Sequence, residues 1–257
     1  MSYSDPTILL FIILFLAAIL AGFVDSIAGG GGLITAPLML SIGAPPHIAL
    51  SMGKYMGVFG TSIAAWAYIK RKVINPKEWI WCAIMTLLGS FIGALFLLSL
   101  DPSFIKKMIP PLLIAIGIYM LIPKSKKQVE SEDSTVSKSK QIISGLGLGF
   151  YDGFIGPGTG SFWTVLYNRI FNQDFMISSG VARLMNSMSN IAALVIFAAA
   201  GKVAWFMGAF MVVGFMLGSY VGARSAIKYG EKFIKPLFIT LVFIIAGRLT
   251  YIEYFTN

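Results

Sequence analysis

The chain has 257 residues, 57% of them hydrophobic and only 12% charged, with a mean hydropathy of +0.81. A soluble domain carries roughly 25% charged residues, so the composition excludes an ordinary soluble fold and points to a polytopic membrane protein. The 20 Lys+Arg against 11 Asp+Glu give +9, which in a membrane protein marks cytoplasmic loops rather than nucleic-acid binding. One cysteine, Cys82, excludes an intrachain disulfide and a cysteine-based metal cluster, and one histidine, His47, excludes a histidine-rich metal site. Neither a metal nor a cofactor is expected.

In chain order, MSYSDP holds no basic residue, and no small-residue cleavage site follows the first apolar run, residues 8–24. That run is expected to be retained as a membrane helix rather than removed as a secretory signal. It ends in GFVDSIAGGGG, residues 22–32, where Asp25 is followed by Gly29, Gly30, Gly31 and Gly32. A carboxylate and irregular backbone are tolerated at membrane depth only when buried in protein or facing a wet cavity. A broken helix is therefore expected, resuming as a short half-helix from Leu33 over residues 33–41. Apolar windows follow at 55–69, in a segment that starts near His47, and at 79–100 and 108–123. KSKKQVESEDSTVSKSK, residues 124–140, is polar, charged and aperiodic, and reads as a solvated linker. In the second half, GFYDGFIGPG (149–158) leads to a short segment at 160–167, opening at Ser161. Windows then follow at 184–201, in a segment starting near Ser178, and at 203–223 and 233–254. Several reach the roughly 20 residues that span a bilayer.

The linker separates a first transmembrane repeat, 1–123, from a second, 141–257. GFVDSIAGGG matches GFYDGFIGPG and GSFIGA (89–94) matches GSYVGA (218–223). Asp25 falls on Asp152, Lys54 on Arg183, Met56 on Met185 and Lys72 on Lys202, with Pro111 near the counterpart of Pro236. Lys70, Arg71, Lys72 and Lys77 flank a loop whose counterpart holds only Lys202, whereas loop 224–235 is basic and its counterpart holds only Lys106 and Lys107. The positive charge swaps between equivalent loops. With an odd number of crossings per half, loop 70–77, the linker and loop 224–235 lie inside and both termini outside. The expected fold is an all-α transmembrane bundle of two inverted repeats, each with a discontinuous, re-entrant glycine-rich segment, a plan that recurs in secondary transporters.

Of eleven acids, only Asp25 and Asp152 sit where an apolar run meets a glycine stretch. Two roles stay open for them: a coupling or substrate-orienting group, or a cap for the half-helix that follows. The half-helix N-termini after Gly29, Gly30, Gly31 and Gly32, and after Gly156, Pro157, Gly158, Thr159 and Gly160, are natural anion sites. No Lys-Ser or Lys-Thr follows and no βαβ unit is present, so neither stretch is a nucleotide-phosphate loop. Gly89 and Gly93, and Gly214, Gly218 and Gly222, have the four-residue spacing of close helix packing instead. Lys54 and Arg183 share helical faces with polar residues: Ser51 with Lys54, and Asn186 and Asn190 with Arg183. Thr61 and Ser62 fall near the position equivalent to Asn190. The pair reads either as two cations converging on an anionic substrate or as side chains snorkelling to the interface. His47 is expected in an interfacial loop, Arg169 near an entrance, and most of Trp66, Trp79, Trp81, Trp163 and Trp205 in an interfacial belt. No nucleophile motif or metal-spaced ligand set suits a membrane-embedded enzyme.

GFVDSIAGGGGLITAPLML, PPHIALSMGK, GFYDGFIGPGTGSF and VARLMNSMSNIAAL together resemble the TauE/SafE sulfite-exporter family, also called the toluene-sulfonate uptake permease family, over essentially the whole chain. The resemblance implies a bacterial or archaeal inner-membrane transporter of sulfite, sulfoacetate or related organosulfonates. Its motif positions here are Asp25, the four glycines from Gly29 to Gly32, Pro37 and Lys54. In the second half they are Asp152, Gly156, Pro157, Gly158, Thr159, Gly160, Arg183 and Asn190. Members often carry a Thr-Asn or Thr-Ser pair before the first-half lysine, where this chain has Met52-Gly53. The expected activity is export of a small sulfur-containing anion by alternating access, with protons as a candidate coupling ion. The alternative is an uptake permease or channel for another small organic anion. The expected binding residues are Gly29, Gly30, Gly31, Gly32, Ser51, Lys54, Gly156, Gly158, Thr159, Gly160, Arg183, Asn186 and Asn190, with Asp25 and Asp152 coupling or capping.

Overall fold

Apolar runs interrupted by glycine and proline fold, in a computed structural model that describes residues 3, 7–121 and 137–229, into helices alone; no strand occurs among the described residues. In order they are α1 (Ile8–Ala28), α2 (Gly32–Ser41), α3 (Pro46–Lys70), α4 (Ile80–Leu98) and α5 (Pro102–Leu121), then α6 (Lys138–Phe154), α7 (Thr159–Ile170), α8 (Phe175–Ala199) and α9 (Trp205–Tyr229). A 3-10 turn, Pro76–Trp79, precedes α4. The window 233–254, loop residues 230–235, Pro236 and linker residues 124–136 lie outside the described residues.

Local chemistry sets the ends. The Thr7 hydroxyl accepts the Leu10 N–H at 3.3 Å and starts α1. Pro46 stands at the first position of α3, where its missing N–H is no loss. The Asp174 carboxylate accepts the Met176 N–H at 2.7 Å and starts α8. Asp101 takes the Ser103 N–H at 2.8 Å and the Ser103 hydroxyl, which together hold its carboxyl below the ordinary carboxylate range.

Among the described residues, four spans are long and apolar enough to cross a membrane: Ile8–Ile27, Pro76–Leu98, Phe175–Ala199 and Trp205–Lys228. Helix α6 is absent from the apolar windows of the sequence. Gly145, Gly147, Gly149 and Gly153, with Lys138, Lys140 and Gln141, dilute its hydropathy. It begins at Lys138, inside the polar stretch 124–140, and its 17 residues reach about 25 Å.

Helix pairing is reciprocal between the halves. Helix α1 packs on α9 and α6 on α4; α3 packs on α9 and α8 on α4; α2 leans on α3 and α7 on α8. Exchanging the first four helices with the last four turns each pair into its partner, and α3 against α8 maps onto itself.

Glycine makes these contacts. A Cβ added at Gly89 or Gly93 would overlap the carbonyls of Leu146 or Phe150 on α6, and one at Gly145, Gly149 or Gly153 those of Cys82, Thr86 or Ser90 on α4. Gly214, Gly218 and Gly222 meet the Phe15, Ile19 and Phe23 carbonyls of α1 in the same way. Small residues thus face inward, while Ile84, Leu88, Ile92 and Leu95 on α4 and Phe206, Phe210, Val213, Leu217 and Val221 on α9 face outward. Lipid is as apolar as these side chains, so close van der Waals packing rather than hydrophobic burial joins the helices.

Two expectations change. Trp66, Trp81 and Trp205 are exposed, but Trp79 and Trp163 are buried against Tyr167, which stacks on Trp163 with ring centroids 5.3 Å apart. His47 is not a loop residue: it is buried in the first turn of α3, and its Nε2 lies 3.2 Å from the Leu97 carbonyl. That contact ties the start of α3 to the end of α4.

The glycine seam yields a graded prediction. Gly93→Ala and Gly153→Ala should lower the melting temperature in detergent, since each pushes α4 and α6 apart. Gly147, in the same helix with open space around it, should accept alanine with no loss or with a gain of up to about 1 kcal/mol.

Candidate functional site

Helix α1 stops where Gly29 turns left-handed, with φ 77°, and the chain resumes as α2 at Gly32. Helix α6 stops at Phe154, passes Gly156 at φ 89° and Gly158 at φ 80°, and resumes as α7 at Thr159. The half-helices expected from Leu33 and Ser161 thus open one and two residues earlier. At about 15 and 18 Å, α2 and α7 each cover roughly half of a hydrocarbon core. The two breaks touch. A Cβ on Gly29 would overlap the backbone of Gly160, and one on Gly32 would lie 3.2 Å from the Pro157 Cα.

A cavity of about 50 Å³ lies at this meeting point, room for roughly three to five water molecules. Its wall includes Gly29 and Gly32 from the first break and Gly156, Pro157, Gly158 and Gly160 from the second. Helix α3 adds Gly53, Lys54, Gly57 and Thr61; α8 adds Asn186 and Asn190; α9 adds Phe215; Asp25 and Asp152 close the ends of α1 and α6.

Each cation in the region belongs to the acid of the other half. Lys54 Nζ lies 2.5 Å from Asp152 Oδ1 and also donates to the Asp152 backbone carbonyl. Arg183 Nη1 donates to the Asp25 backbone carbonyl and lies 3.7 Å from Asp25 Oδ2. Both cations therefore sit at the C-terminal, partially negative end of a broken helix and beside its carboxylate. All four side chains are buried.

The two acids differ in their remaining bonds. Asp25 Oδ1 accepts the Gly31 N–H at 3.0 Å, so this carboxylate caps α2 across the break. Asp152 Oδ1 accepts the Thr159 hydroxyl at 3.3 Å, and its Oδ2 accepts the Ser189 hydroxyl. Arg183 is wholly buried, and among the described residues its Nε and Nη2 have no hydrogen-bond partner.

The family model for Sulfite exporter TauE/SafE matches residues 14–249. The chain belongs to the TauE/SafE family. Among curated TauE/SafE-like relatives, the probable membrane transporter protein YfcA of Escherichia coli K12 is 35% identical over 93% of this chain and 89% of its own length. A probable membrane transporter protein of Haemophilus influenzae is 34% identical over 96% and 97%. The probable membrane transporter protein ORF9 of a Sinorhizobium species is 37% identical over 92% and 90%. No solved structure matches. Family, relatives and apolar helices together make the chain a multi-pass membrane transporter, and its TauE/SafE relatives are named for transport rather than for catalysis.

Of the residues singled out in the sequence, Gly29, Gly32, Lys54, Gly156, Gly158, Gly160, Asn186, Asn190, Asp25 and Asp152 line the cavity. Gly30, Gly31, Thr159, Arg183 and Ser51 do not. Gly31 is engaged by Asp25, and Arg183 stands behind Gly160, where a Cβ would meet its Nη1 at 2.8 Å. Ser51 donates to the Ile48 and Lys202 carbonyls at 2.9 and 2.5 Å and pins α3 to the loop before α9.

Thr35, Gly53, Gly57, Ser189 and Phe215 went unnoticed as site residues. Gly57 carries a readable signal, since it lies one turn from Gly53 and Thr61; a Cβ there would overlap the Asn190 amide, which reaches across it toward Thr61. Gly53, at the departure from the family pattern, forms part of the wall beside Lys54, and a Cβ added there would meet Thr35 Oγ1 at 3.7 Å.

Asp25→Ala removes the cap of α2 and leaves the Arg183 guanidinium facing only a carbonyl. Breaking a buried pair from one side costs about 3–5 kcal/mol, so thermal unfolding in detergent should show a large loss of stability. The double variant Asp25→Asn with Arg183→Gln, which strands no charge, should recover much of it.

Proposed function

We propose that the protein exports a small organosulfonate or sulfite anion across the inner membrane by alternating access. The observation that carries this reading is the convergence of two half-helix starts, one from each half, on a single small cavity beside Lys54. Each helix N-terminus brings roughly +0.5 of an elementary charge, and the first-turn residues Gly32 and Gly160 face the cavity with no side chain in the way. Asn186 and Asn190 supply directional donors for sulfonate oxygens, and Arg183 adds its charge from behind Gly160. The cavity volume favours a compact anion over a bulky one. The family's name, sulfite exporter, supports the same class of substrate.

In this reading the halves 1–123 and 141–257 are inverted repeats joined by a cytoplasmic linker at 124–140, with both termini outside. The exchange of contacts between halves supports a pseudo-two-fold relation, and the basic loops support its inversion. Rocking of the group α1, α3 and α9 against the group α4, α6 and α8, each holding one glycine seam, would open the cavity to each side in turn.

Purified protein in proteoliposomes should move ³⁵S-labelled sulfite or a labelled sulfonate with saturable kinetics; absence of flux with every sulfonate and with sulfite overturns the reading. Asn190→Ala should fold normally, because its amide makes only a 3.5 Å contact with Thr61. It should nevertheless weaken anion affinity by about 1–2 kcal/mol, or roughly five- to thirty-fold, measured by thermal shift against anion concentration.

A further inference from the structure

We infer that each anion is accompanied by one proton bound on Asp152, which releases Lys54 from an internal ion pair to the substrate. This rests on the anion-transport reading above. Without substrate, Asp25, Lys54, Asp152 and Arg183 are buried together and their formal charges cancel. An anion entering alone leaves an uncompensated charge in a buried site, which is strongly disfavoured. One proton restores the balance.

The geometry selects Asp152 to take it. Asp25 is held by structure: one oxygen caps α2, and its cation is fixed on the end of α1 outside the cavity wall. Asp152 and Lys54 both line the cavity and face each other directly. Lys54 has three N–H donors, of which two go to Asp152. Once Asp152 is neutral, the ammonium keeps its bond to the backbone carbonyl and presents its unbalanced charge to the anion.

The hydrogen-bond network accommodates the added proton. The Ser189 hydroxyl, which donates to Asp152 Oδ2, also has the Asn186 and Met185 carbonyls within reach at 3.0 and 3.2 Å. When a proton from the open aqueous side forms an O–H bond at Oδ2, Ser189 turns its own hydrogen to Asn186 and accepts from Asp152. Thr159 continues to donate to Oδ1 while Lys54 turns from it to the anion. On the far side the anion leaves, Lys54 returns to the carboxylate and the proton departs to water. Among the described residues, the titratable and charged groups within electrostatic reach of this cluster are Lys54 on α3, Asp25 on α1, Arg183 on α8 beside Asp25, and Tyr151 on α6 itself. Helices α7 and α8 add only the hydroxyls of Thr159 and Ser189.

The test uses the full chain in proteoliposomes with an entrapped pH dye. Methanesulfonate and isethionate stay ionised, so no proton can ride on them; sulfite serves as a further flux probe. Wild type should move one proton per sulfonate. An inward gradient of two pH units should concentrate the sulfonate up to about 100-fold, with little response to a potassium diffusion potential. Asp152→Asn, a neutral mimic that can donate to Ser189, should lose proton flux and pH-driven accumulation, while sulfonate still equilibrates down its own gradient at a reduced rate. Asp152→Glu should keep the coupling and separates a folding defect from a coupling defect. Sulfonate flux without proton flux in wild type, or pH-driven accumulation by Asp152→Asn, overturns the inference and leaves anion transport standing. No exchange of either sulfonate or of sulfite by wild type overturns the transport reading and this inference with it.

Discussion

Everything at the centre of this molecule depends on two backbones touching. Gly29 and Gly160 meet without room for a methyl group between them, so the ends of α1 and α6 and the starts of α2 and α7 are forced into one small volume. That volume holds four half-ended helices, and each end brings polar groups that no neighbouring turn satisfies. The buried charges follow from this crowding. Carboxylates take the donors at the starts, as Asp25 does for Gly31, and cations take the carbonyls at the stops, as Lys54 and Arg183 do. The same interactions that make a broken helix tolerable in a bilayer also build a polar chamber.

The chamber is balanced but not symmetric. Arg183 is buried behind Gly160 and bound to the end of α1, whereas Lys54 is part of the cavity wall. Asp25 is committed to a backbone cap, whereas Asp152 is held by hydroxyls that can turn. The Arg183–Asp25 pair thus supplies a fixed electrostatic frame and the Lys54–Asp152 pair one that can be rearranged. Around them the glycine seams of α4 with α6 and α1 with α9 bind each half closely to the other. The chemistry is thereby confined to the few residues between them.

The sequence revealed the glycine breaks, the half-helices and the equivalence of Lys54 with Arg183, because each breaks a rule of membrane chains: no charge and no loose backbone at depth. Small-residue packing was legible too, from the four-residue spacing of Gly214, Gly218 and Gly222. Helix α6 was not, since its glycines lower hydropathy while serving the packing. Trp79, Trp163 and His47 looked interfacial because they lie near segment ends, yet the two tryptophans pack on Tyr167 beside the start of α4, and His47 is buried against the end of α4. The ion pairing was hidden for a deeper reason. Internal comparison aligns Asp25 with Asp152 and Lys54 with Arg183, placing one acid and one base in each half, and nothing in linear order says that each base serves the other half's acid. The part Gly53 and Gly57 play in the wall was hidden because the space they leave takes its meaning only once Thr35 and Asn190 face it.

That crossed arrangement bears on how the chain is made. Membrane helices enter the bilayer in order, and an Asp or Lys near the centre of a lone segment costs roughly 3 kcal/mol. When the first five helices have emerged, Asp25 and Lys54 are both in place and neither has its partner. They remain so until α6 and α8 arrive, some 130 to 160 residues after Asp25. An interrupted synthesis product would carry two unpaired ionised groups at its core. Arrival of the second half is thus built into the electrostatics of the first, as a checkpoint that only α6 and α8 can satisfy.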